Sequence, residues 1–318
     1  MAEKPLESTY NPPLIFKNPH INTIYPSIFR KIKNINYKRT QIKTKDNDFL
    51  ELDWSAFGSS TLIIISHGLE GSSQRAYVKG MARALNLHGY DVLAWNYRTC
   101  GGKINDKLKM YHNGSIDDLD DVIQHCLQNT DYTNIFLLGF SMGGNISLLY
   151  SGKNTKLNDR IKGCIGFSVP CDLLDSSKQL EKFSNKIFMK RFLNDLHKKI
   201  LLKQKQFPDE ISTENFGKIK TFIDFDNKYT APLHGFKNAY DYYEKCSCID
   251  WLDKIEIPSL IVNAKDDPFL GKKCYPKIKT DFFRTEFPKY GGHVGFYERG
   301  QFYWSEKRAL LFIKNIIN

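Results

Sequence analysis

The chain of 318 residues has no long hydrophobic run, which argues against a membrane-spanning helix. Wholly apolar runs are short, as at Leu62–Ile65, whereas a helix that spans a bilayer needs ~20 apolar residues. The first residues also lack the basic start and the apolar stretch of a secretory signal. No internal repeat, low-complexity linker or nucleic-acid-binding motif stands out. We therefore expect a globular cytoplasmic protein that does not bind nucleic acid.

Cysteine is scarce as well, and its seven copies do not have the spacing of metal ligands. The one close pair, Cys246-x-Cys248, is a weak signal, so we interpret all seven as reduced thiols. A domain of this length can bury a large core and needs neither a disulfide nor a metal to stay folded. The net charge of +11 comes from dispersed basic residues, except in one segment at 178–205, and indicates a solvated basic surface.

The hydrophobic pattern alternates between short apolar runs and helical stretches. Near-continuous runs are typical of strands that are covered on both faces, and strands alternating with helices predict a mostly parallel sheet with helices on both faces. The predicted buried strands are Thr61–Ser66, Asp91–Asn96, Asn134–Gly139, Lys162–Ser168, Ile257–Ala264 and Phe282–Phe287. The predicted helices are Ala76–His88, Ser115–Gln128, Met142–Ser151 and Phe302–Ile317.

Two regions depart from this alternation. Residues 1–60 contain a polar lead-in and an antiparallel pair of strands near Tyr37–Thr44 and Phe49–Trp54. From about 171 to 233 no buried strand is apparent, and apolar residues recur with helical spacing. We therefore predict one domain over 1–318, with a helical cap or lid inserted at about 171–233.

A nucleophile is predicted at Ser141. The sequence Gly139-Phe-Ser-Met-Gly143 directly follows a predicted strand and leads into a predicted helix. This order of strand, sharp turn and helix is the context of the nucleophile elbow in the α/β-hydrolase fold, where small residues must flank a strained serine. The alternative, a glycine-rich turn with an incidental serine, does not explain why strand and helix meet there.

The base is predicted from chain order, because the elbow requires Ser, then Asp or Glu, then His. His197, His234 and His293 follow Ser141, but His197 lies among the lysines of the insertion and His234 precedes the strand that should carry the acid. His293 lies beyond that strand in the glycine-rich sequence Tyr290-Gly-Gly-His-Val-Gly-Phe296. We therefore predict His293 as the base.

The acid should follow the strand at 257–264, where Asp266 and Asp267 compete. We favour Asp267, which directly precedes Pro268, and assign Asp266 to capping or solvating the turn. An oxyanion hole also requires two backbone N–H groups. Met142, directly after the nucleophile, should supply one, and Leu69, in the loop after the strand at 61–66, should supply the other. No metal or organic cofactor is needed for this chemistry.

Taken together, these motifs resemble the YheT-like α/β-hydrolases and their eukaryotic abhydrolase-domain relatives. The resemblance extends over nearly the whole chain and rests on His20-x-x-Thr23, His67-Gly-Leu-Glu-Gly-Ser72, Tyr97-Arg-Thr-Cys-Gly-Gly102, Tyr111-His-Asn-Gly114, Gly139-Phe-Ser-Met-Gly-Gly-Asn145, Phe225-Asp226, His234-Gly235, Ala264-Lys-Asp-Asp-Pro-Phe269 and Tyr290–Phe296. It implies an esterase- or lipase-type hydrolase of carboxylic esters, and it implies that the second aspartate is the acid.

Several alternatives remain open. The same three residues could serve a thioesterase, an amidase or an acyltransferase, and a non-catalytic binding protein on this fold is a further reading. Arg98 could form structural salt bridges or touch substrate. The basic segment 178–205 could be a lid with lysines in water, or it could contact an anionic membrane surface. The expected partner is a small-molecule ester or a lipid.

Overall fold

The computed structural model describes residues 6–154, 156–278 and 280–317. Its strands are β1 (Lys38–Lys43), β2 (Phe49–Ser55), β3 (Thr61–Ser66), β4 (Asp91–Asn96), β5 (Asn134–Phe140), β6 (Ile161–Phe167), β7 (Ser259–Val262) and β8 (Phe283–Glu286). They form one sheet in the order β1-β2-β4-β3-β5-β6-β7-β8. β2 pairs antiparallel with β1 and with β4, and the remaining neighbours pair in parallel. The predicted mostly parallel sheet and its antiparallel β1–β2 pair are thus confirmed.

The helices cover both faces of this sheet, as the sequence pattern predicts. They are α1 (Pro19–Phe29), α2 (Ala76–Leu87), α3 (Ile116–Asn129), α4 (Met142–Lys153), α5 (Leu173–Leu180), α6 (Lys186–Gln206), α7 (Phe222–Phe225), α8 (Ala231–His234), α9 (Ala239–Cys246) and α10 (Trp304–Ile317). Along β3, Leu62 and Ile64 join the core layer that holds residues of α3 and α4. Ile63 and Ile65 join the opposite layer with residues of α2 and α10. This alternation buries β3 on both sides and explains its continuous apolar sequence.

Helix α1 corrects the prediction of a polar lead-in before β1. The side chain of Asn18 caps it by accepting hydrogen bonds from the N–H groups of His20 and Ile21, and Pro19 occupies the first helical position. Both are standard helix-start signals. Apolar side chains of α1 such as Ile28 and Phe29 remain in solvent, 60% and 63% exposed. Because apolar residues lie on its exposed side as well, α1 does not show the pattern of one apolar face and one polar face by which helices are recognised in sequence.

Helical structure between β6 and β7 begins with α5 and continues past residue 233, through α9 to a 3-10 segment at Ile249–Lys254. A five-residue π-helical turn, Asp226–Thr230, joins α7 to α8. Tyr242, Tyr243 and Cys246 of α9 share a small core with Leu173 of α5. The range 171–233 from the sequence is therefore only part of a longer helical segment, and its role as a cap over one domain stays a prediction.

Helix α6 carries most of the basic residues of segment 178–205, and two of them point into the protein. Lys203 is fully buried, and its Nζ donates to the carbonyl oxygens of Asn105, at 2.8 Å, and Lys107, at 2.5 Å. Lys199 pairs with Glu70 at 3.0 Å. Unlike the lysines of the lid alternative, these two do not face water. Among the helices of the described ranges, none has both the length and the apolar character needed to cross a membrane.

Candidate active site

Three loops meet at the edge of the sheet where the parallel strands end. Ser141 directly follows β5, Asp267 lies in the loop after β7, and His293 lies in the loop after β8. Parallel strands share one carboxyl edge, so residues far apart in sequence come together there, and open α/β sheets bind their ligands at this edge.

Ser141 lies in a strained turn between β5 and α4. Its φ of 53° and ψ of −121° place a non-glycine residue in an unfavourable backbone region. A Cβ atom on Gly139 would lie 2.2 Å from the carbonyl oxygen of Gly143, and one on Gly143 would lie 2.2 Å from that of Ser66. Strand, turn and helix therefore approach each other so closely that only glycine fits at these two positions.

A chain of hydrogen bonds links Ser141, His293 and Asp267. Nε2 of His293 is 2.9 Å from Oγ of Ser141, and Nδ1 is 2.9 and 3.0 Å from the two carboxylate oxygens of Asp267. The Asp267 carboxylate, which is buried, accepts a further hydrogen bond from the N–H of Phe269 at 2.9 Å. A carboxylate only accepts, so the proton of a neutral imidazole resides on Nδ1 and leaves Nε2 to accept from the serine hydroxyl. The structure thus brings the three predicted residues together.

Asp266, the competing aspartate, contacts the loop backbone. Its Oδ1 accepts a hydrogen bond from the N–H of Gly292 at 3.0 Å. Burial raises the pKa of this carboxyl to about 6. The two neighbouring aspartates therefore hold two different parts of the same loop: Asp267 holds the ring of His293, and Asp266 holds the main chain beside it.

Two hydroxyl groups brace the His293 loop from other parts of the chain, and sequence reasoning did not assign either. Oγ1 of Thr23, in α1, accepts from the N–H of His293 at 2.8 Å. Oγ of Ser168, just after β6, accepts from the N–H of Val294 at 2.9 Å. Thr23 was part of the family resemblance, but nothing in the local sequence links it to a loop 270 residues away.

The two predicted oxyanion donors, Leu69 and Met142, line one cavity together with Ser141 and His293. The loop around Leu69 is held on both sides. The N–H of Gly68 donates to the hydroxyl of Tyr77 at 2.9 Å, and the N–H of Glu70 donates to that of Tyr111 at 3.3 Å. Within the described part of the chain, the N–H groups of Leu69 and Met142 have no hydrogen-bond acceptor.

A buried ion pair reaches this loop from helix α6. Lys199 lies 3.0 Å from the carboxylate of Glu70, 2.8 Å from Sγ of Cys100 and 4.7 Å from the centre of the Tyr111 ring. Glu70 also accepts a short hydrogen bond from the Tyr111 hydroxyl. Sequence reasoning missed this cluster, because Lys199 is one of many lysines in a basic segment. This cluster connects α6, in the helical insertion, to Glu70, the residue that follows Leu69.

Of the two roles considered for Arg98, structural salt bridges and substrate contact, the structure shows the salt bridges. Its guanidinium is 7% exposed and contacts the carboxylates of Asp118 at 2.7 Å, Asp46 at 2.8 Å and Asp48 at 3.0 Å. These ion pairs join the loop after β4 to the β1–β2 turn and to α3. With all its donors engaged by carboxylates, Arg98 is a crosslink between elements.

Two cavities meet at Ser141 and His293. One, of about 940 Å³, is lined mainly by apolar side chains of the insertion, including Leu180, Leu196, Phe225 and Leu233. The other, of about 1160 Å³, lies between α1, the Leu69 loop and α6, and includes polar and charged groups such as Arg75 and Arg191. The serine hydroxyl therefore lies between an apolar chamber and a more polar one.

The apolar cavity contains a polar patch formed by two histidines. The rings of His112 and His234 lie 4.3 Å apart, and Nδ1 of His112 accepts from the N–H of Gly114 at 3.0 Å. Burial holds the pKa of His112 well below its usual range and lowers that of His234 to about 4, so both rings are neutral near pH 7. His112 belongs to the motif Tyr111-His-Asn-Gly114, which is part of the family resemblance.

The described residues contain no group of three or more His, Cys, Asp or Glu side chains placed to hold a metal ion. The seven cysteines are free, as expected from their number and spacing. The groups that the structure brings together at this edge of the sheet are the serine hydroxyl, the imidazole, the carboxylates and the backbone N–H groups.

Comparison with known proteins identifies relatives of this chain. It is 29% identical over 290 residues to YheT of Escherichia coli (strain K12), which is named as a candidate esterase, with 88% of this chain and 85% of YheT covered. It is 28% identical to the phospholipase ABHD3 of Mus musculus, with 83% and 67% covered. The esterase Pf2001 of Pyrococcus furiosus shares the fold, with a TM-score of 0.60 at 18% identity over 97% of this chain and all of that one.

The family model described as alpha/beta hydrolase fold matches residues 61–299, which includes β3 to β8 and the three loops at the sheet edge. The predicted fold and the YheT-like resemblance are both confirmed. The chain belongs to the alpha/beta hydrolase fold family.

Proposed function

We propose that this protein is a serine hydrolase that cleaves carboxylic esters through an acyl-enzyme, with Ser141 as nucleophile, His293 as general base and Asp267 as the acid that orients it. The observation that carries the proposal is the hydrogen-bond chain at 2.9 Å on both sides of the imidazole. The esterase and phospholipase names of relatives support the same reaction class.

In the first step, the Ser141 hydroxyl attacks the ester carbonyl and its proton passes to Nε2 of His293. Asp267 stabilises the resulting imidazolium while remaining ionised. The carbonyl oxygen becomes an oxyanion, which the N–H groups of Leu69 and Met142 bind, and each such donor contributes roughly 3 kcal/mol to transition-state stabilisation. The tetrahedral intermediate collapses, the bond to the alcohol oxygen breaks, and His293 donates its proton to the leaving alkoxide.

In the second step, water replaces the alcohol. His293 takes a proton from the water as it attacks the acyl-enzyme, the oxyanion forms again in the same place, and the proton returns to the Ser141 oxygen as the acid leaves. The N–H groups of Leu69 and Met142 support this scheme: neither has an acceptor among the described residues, so both are available to the substrate.

For substrate, we propose an ester whose acyl chain enters the apolar cavity of about 940 Å³. The alcohol would then lie in the more polar cavity beside Arg75. We further propose that the helices between β6 and β7 form a cap on a single domain, since residues of α5, α6 and α7 line the apolar cavity together with Ser141. Such a cap excludes water and strengthens the polar interactions within.

The decisive test is covalent labelling of the purified protein by a fluorophosphonate probe. We expect wild type to be labelled, Ser141→Ala to be unlabelled, and the exposed-serine control Ser184→Ala to be labelled like wild type. Ser141→Ala should also lower the hydrolysis of nitrophenyl esters by about 10⁴-fold or more. A folded wild-type protein that is neither labelled nor active would instead favour a binding protein on this fold.

A matched set of substrates separates the remaining alternatives. An oxygen ester, a thioester and an amide with the same acyl chain all present a carbonyl to the same nucleophile. We expect the highest kcat/KM for the oxygen ester. For oxygen esters of different acyl length, kcat/KM should depend on how well the acyl chain fills the apolar cavity. A preference for the thioester or amide would replace the esterase proposal, and product formation only with an added alcohol acceptor would indicate an acyltransferase.

A further inference from the structure

Large apolar side chains are exposed on the segments next to the more polar cavity. They come from the 3-10 turn Leu14–Lys17 and the end of α1, and from the 3-10 turn Phe183–Asn185 and the start of α6. We call this group the mouth surface; its members are Leu14, Ile15, Ile28, Phe29, Phe183 and Ile187, which are 60–83% exposed. Monomeric proteins seldom expose so many large apolar groups close together unless something covers them.

The two helices that carry part of the mouth surface, α1 and α6, both line one cavity. Ile24 and Ser27 of α1 line the cavity that reaches Ser141, and so do Phe188 and Arg191 of α6. The rings of His20 and Phe188 stack 5.9 Å apart and bring the two helices together. Ile187 lines a shallow depression that shares Arg75 and Arg191 with the cavity. The exposed side chains therefore lie on segments that border a passage toward the serine.

Unpaired cations accompany these apolar groups. Lys186, Lys190 and Arg191 are exposed at the start of α6, and Lys182 is exposed just before the 3-10 turn that precedes it. Among the described residues, no carboxylate forms a salt bridge with any of the four; Nζ of Lys186 instead lies 4.8 Å from the centre of the Phe183 ring. The mouth surface thus combines exposed apolar side chains with positive charge, the combination that binds a surface of anionic lipids.

We propose that the mouth surface docks the protein onto an anionic lipid surface, from which an ester-bearing lipid enters the passage to Ser141. This inference rests on the proposed function and names its substrate class: a lipid ester presented by a membrane or other lipid aggregate. Apolar side chains of α1 and α6 insert among the acyl chains, while the α6 cations contact the headgroups.

Charge and position both favour lipid over a protein occupant. A two-fold contact with a second copy would bring Lys182, Lys186, Lys190 and Arg191 toward their own counterparts, and like charges repel at such an interface. Any protein seated on the mouth surface would also close the passage to Ser141. A lipid surface instead neutralises the cations and supplies substrate through the opening that it covers.

Vesicle sedimentation tests the docking directly. We expect wild type to bind phosphatidylcholine vesicles containing 30 mol% phosphatidylserine, and to bind pure phosphatidylcholine vesicles at least ten-fold more weakly. Phe29→Asp and Phe183→Asp should each weaken binding at least ten-fold. The triple variant Lys182→Gln/Lys186→Gln/Lys190→Gln should lose the preference for phosphatidylserine, and wild-type binding should fall as salt concentration rises.

Phe57→Asp is the matched control. Phe57 is 80% exposed, like Phe183, but it lies between β2 and β3 at the opposite edge of the sheet. It should bind vesicles like wild type. All of these variants should hydrolyse a soluble nitrophenyl ester at the wild-type rate, because none touches the Ser141–His293–Asp267 group, and that activity reports correct folding.

The two proposals fail in distinguishable ways. Wild type that hydrolyses the soluble ester but does not bind anionic vesicles overturns the docking proposal and leaves the hydrolase intact. Equal vesicle binding by wild type, Phe29→Asp and Phe183→Asp also overturns it. If wild type is a dimer that Phe29→Asp converts to a monomer, without vesicle binding, the occupant is a second copy. Vesicle binding without labelling or hydrolysis removes the proposed function instead.

Discussion

At the scale of single residues, Asp266 and Asp267 differ in what their carboxylates touch. Both oxygens of Asp267 lie within 3.0 Å of Nδ1 of His293, whereas Asp266 accepts from the main chain of Gly292. The two are identical residues next to each other on one turn, so residue type does not distinguish them. Only the direction in which each side chain leaves the turn separates their roles.

Replacing each aspartate by asparagine should therefore give unequal losses. Asp267→Asn places an amide beside Nδ1, which favours the wrong tautomer of His293, and kcat should fall by about 10⁴-fold. Asp266→Asn keeps an oxygen that accepts from Gly292, and kcat should fall less than ten-fold. Nitrophenyl ester kinetics on both variants measure this, and a larger loss in Asp266→Asn would contradict the assignment of the acid.

At the scale of elements, helix α6 is joined to the loop that carries Leu69. The Lys199–Glu70 ion pair, with Tyr111 and Cys100 around it, links a helix of the insertion to the loop after β3. Breaking a buried pair leaves one charge uncompensated, which costs about 3–5 kcal/mol. We expect this pair to hold the loop that carries Leu69, the proposed oxyanion donor.

Lys199→Met should consequently lower both stability and kcat. We expect its Tm to fall by several degrees. We also expect kcat to fall at least ten-fold with KM changed less, because the proposed Leu69 donor would act on the oxyanion more than on bound substrate. Lys198→Met is the matched control: Lys198 is 73% exposed, and its ion pair with Asp195 should contribute under about 1 kcal/mol.

A purely structural role for Lys199 would give a different pattern. It would lower Tm while leaving kcat unchanged at temperatures where the variant is folded. The double variant Glu70→Gln/Lys199→Met removes both charges, so it should recover part of the Tm that Lys199→Met loses.

At the scale of the whole molecule, buried acidic groups make stability depend on pH. Asp226, at the start of the π-helical turn, accepts hydrogen bonds from the hydroxyls of Thr230 at 2.5 Å and Tyr243 at 2.6 Å. Burial nevertheless raises the pKa of its carboxyl to about 6. In the unfolded chain this pKa is about 3.9, so between these two values the folded state holds a proton that the unfolded state has lost.

The sign of the effect follows from this difference. Above pH 6 the folded state must keep an ionised carboxylate in a buried site, and this destabilises it; lowering the pH toward 4 removes that penalty. The Tm of wild type should therefore rise relative to that of Asp226→Asn as pH falls from 7.5 to 5, by a few degrees. Thermal unfolding at both pH values measures this. Asp209→Asn is the control: Asp209 is exposed, so the difference in Tm between this variant and wild type should be the same at both pH values.

Much of the fold could be predicted because burial on both faces imposes a local pattern. The ranges of β3 and β4 match the predicted runs residue for residue, and the other sheet strands differ by one or two residues at their ends. The Ser141 turn was also recognisable, since the close approach of strand and helix demands glycine at fixed positions on either side. These features depend on neighbours within a few residues.

Features that depend on distant partners were missed. Thr23 braces a loop near the other end of the chain, and Lys199 pairs with a glutamate more than a hundred residues away; neither is distinguished by its neighbours. Helix α1 escaped recognition because part of its apolar surface faces solvent. The helices after residue 233 were not predicted, since they are short and are held by packing rather than by long periodic runs.

Local sterics and periodic burial act between residues close in sequence, so the order of the strands along the chain, the sharp turn at Ser141 and the order of the candidate Ser, Asp and His could be predicted from the sequence. The local pattern gave no sign of which aspartate faces the imidazole, which lysines of α6 turn inward, or which apolar side chains remain exposed near the cavity. Each of those outcomes depends on atoms brought within a few ångströms by the folding of distant segments.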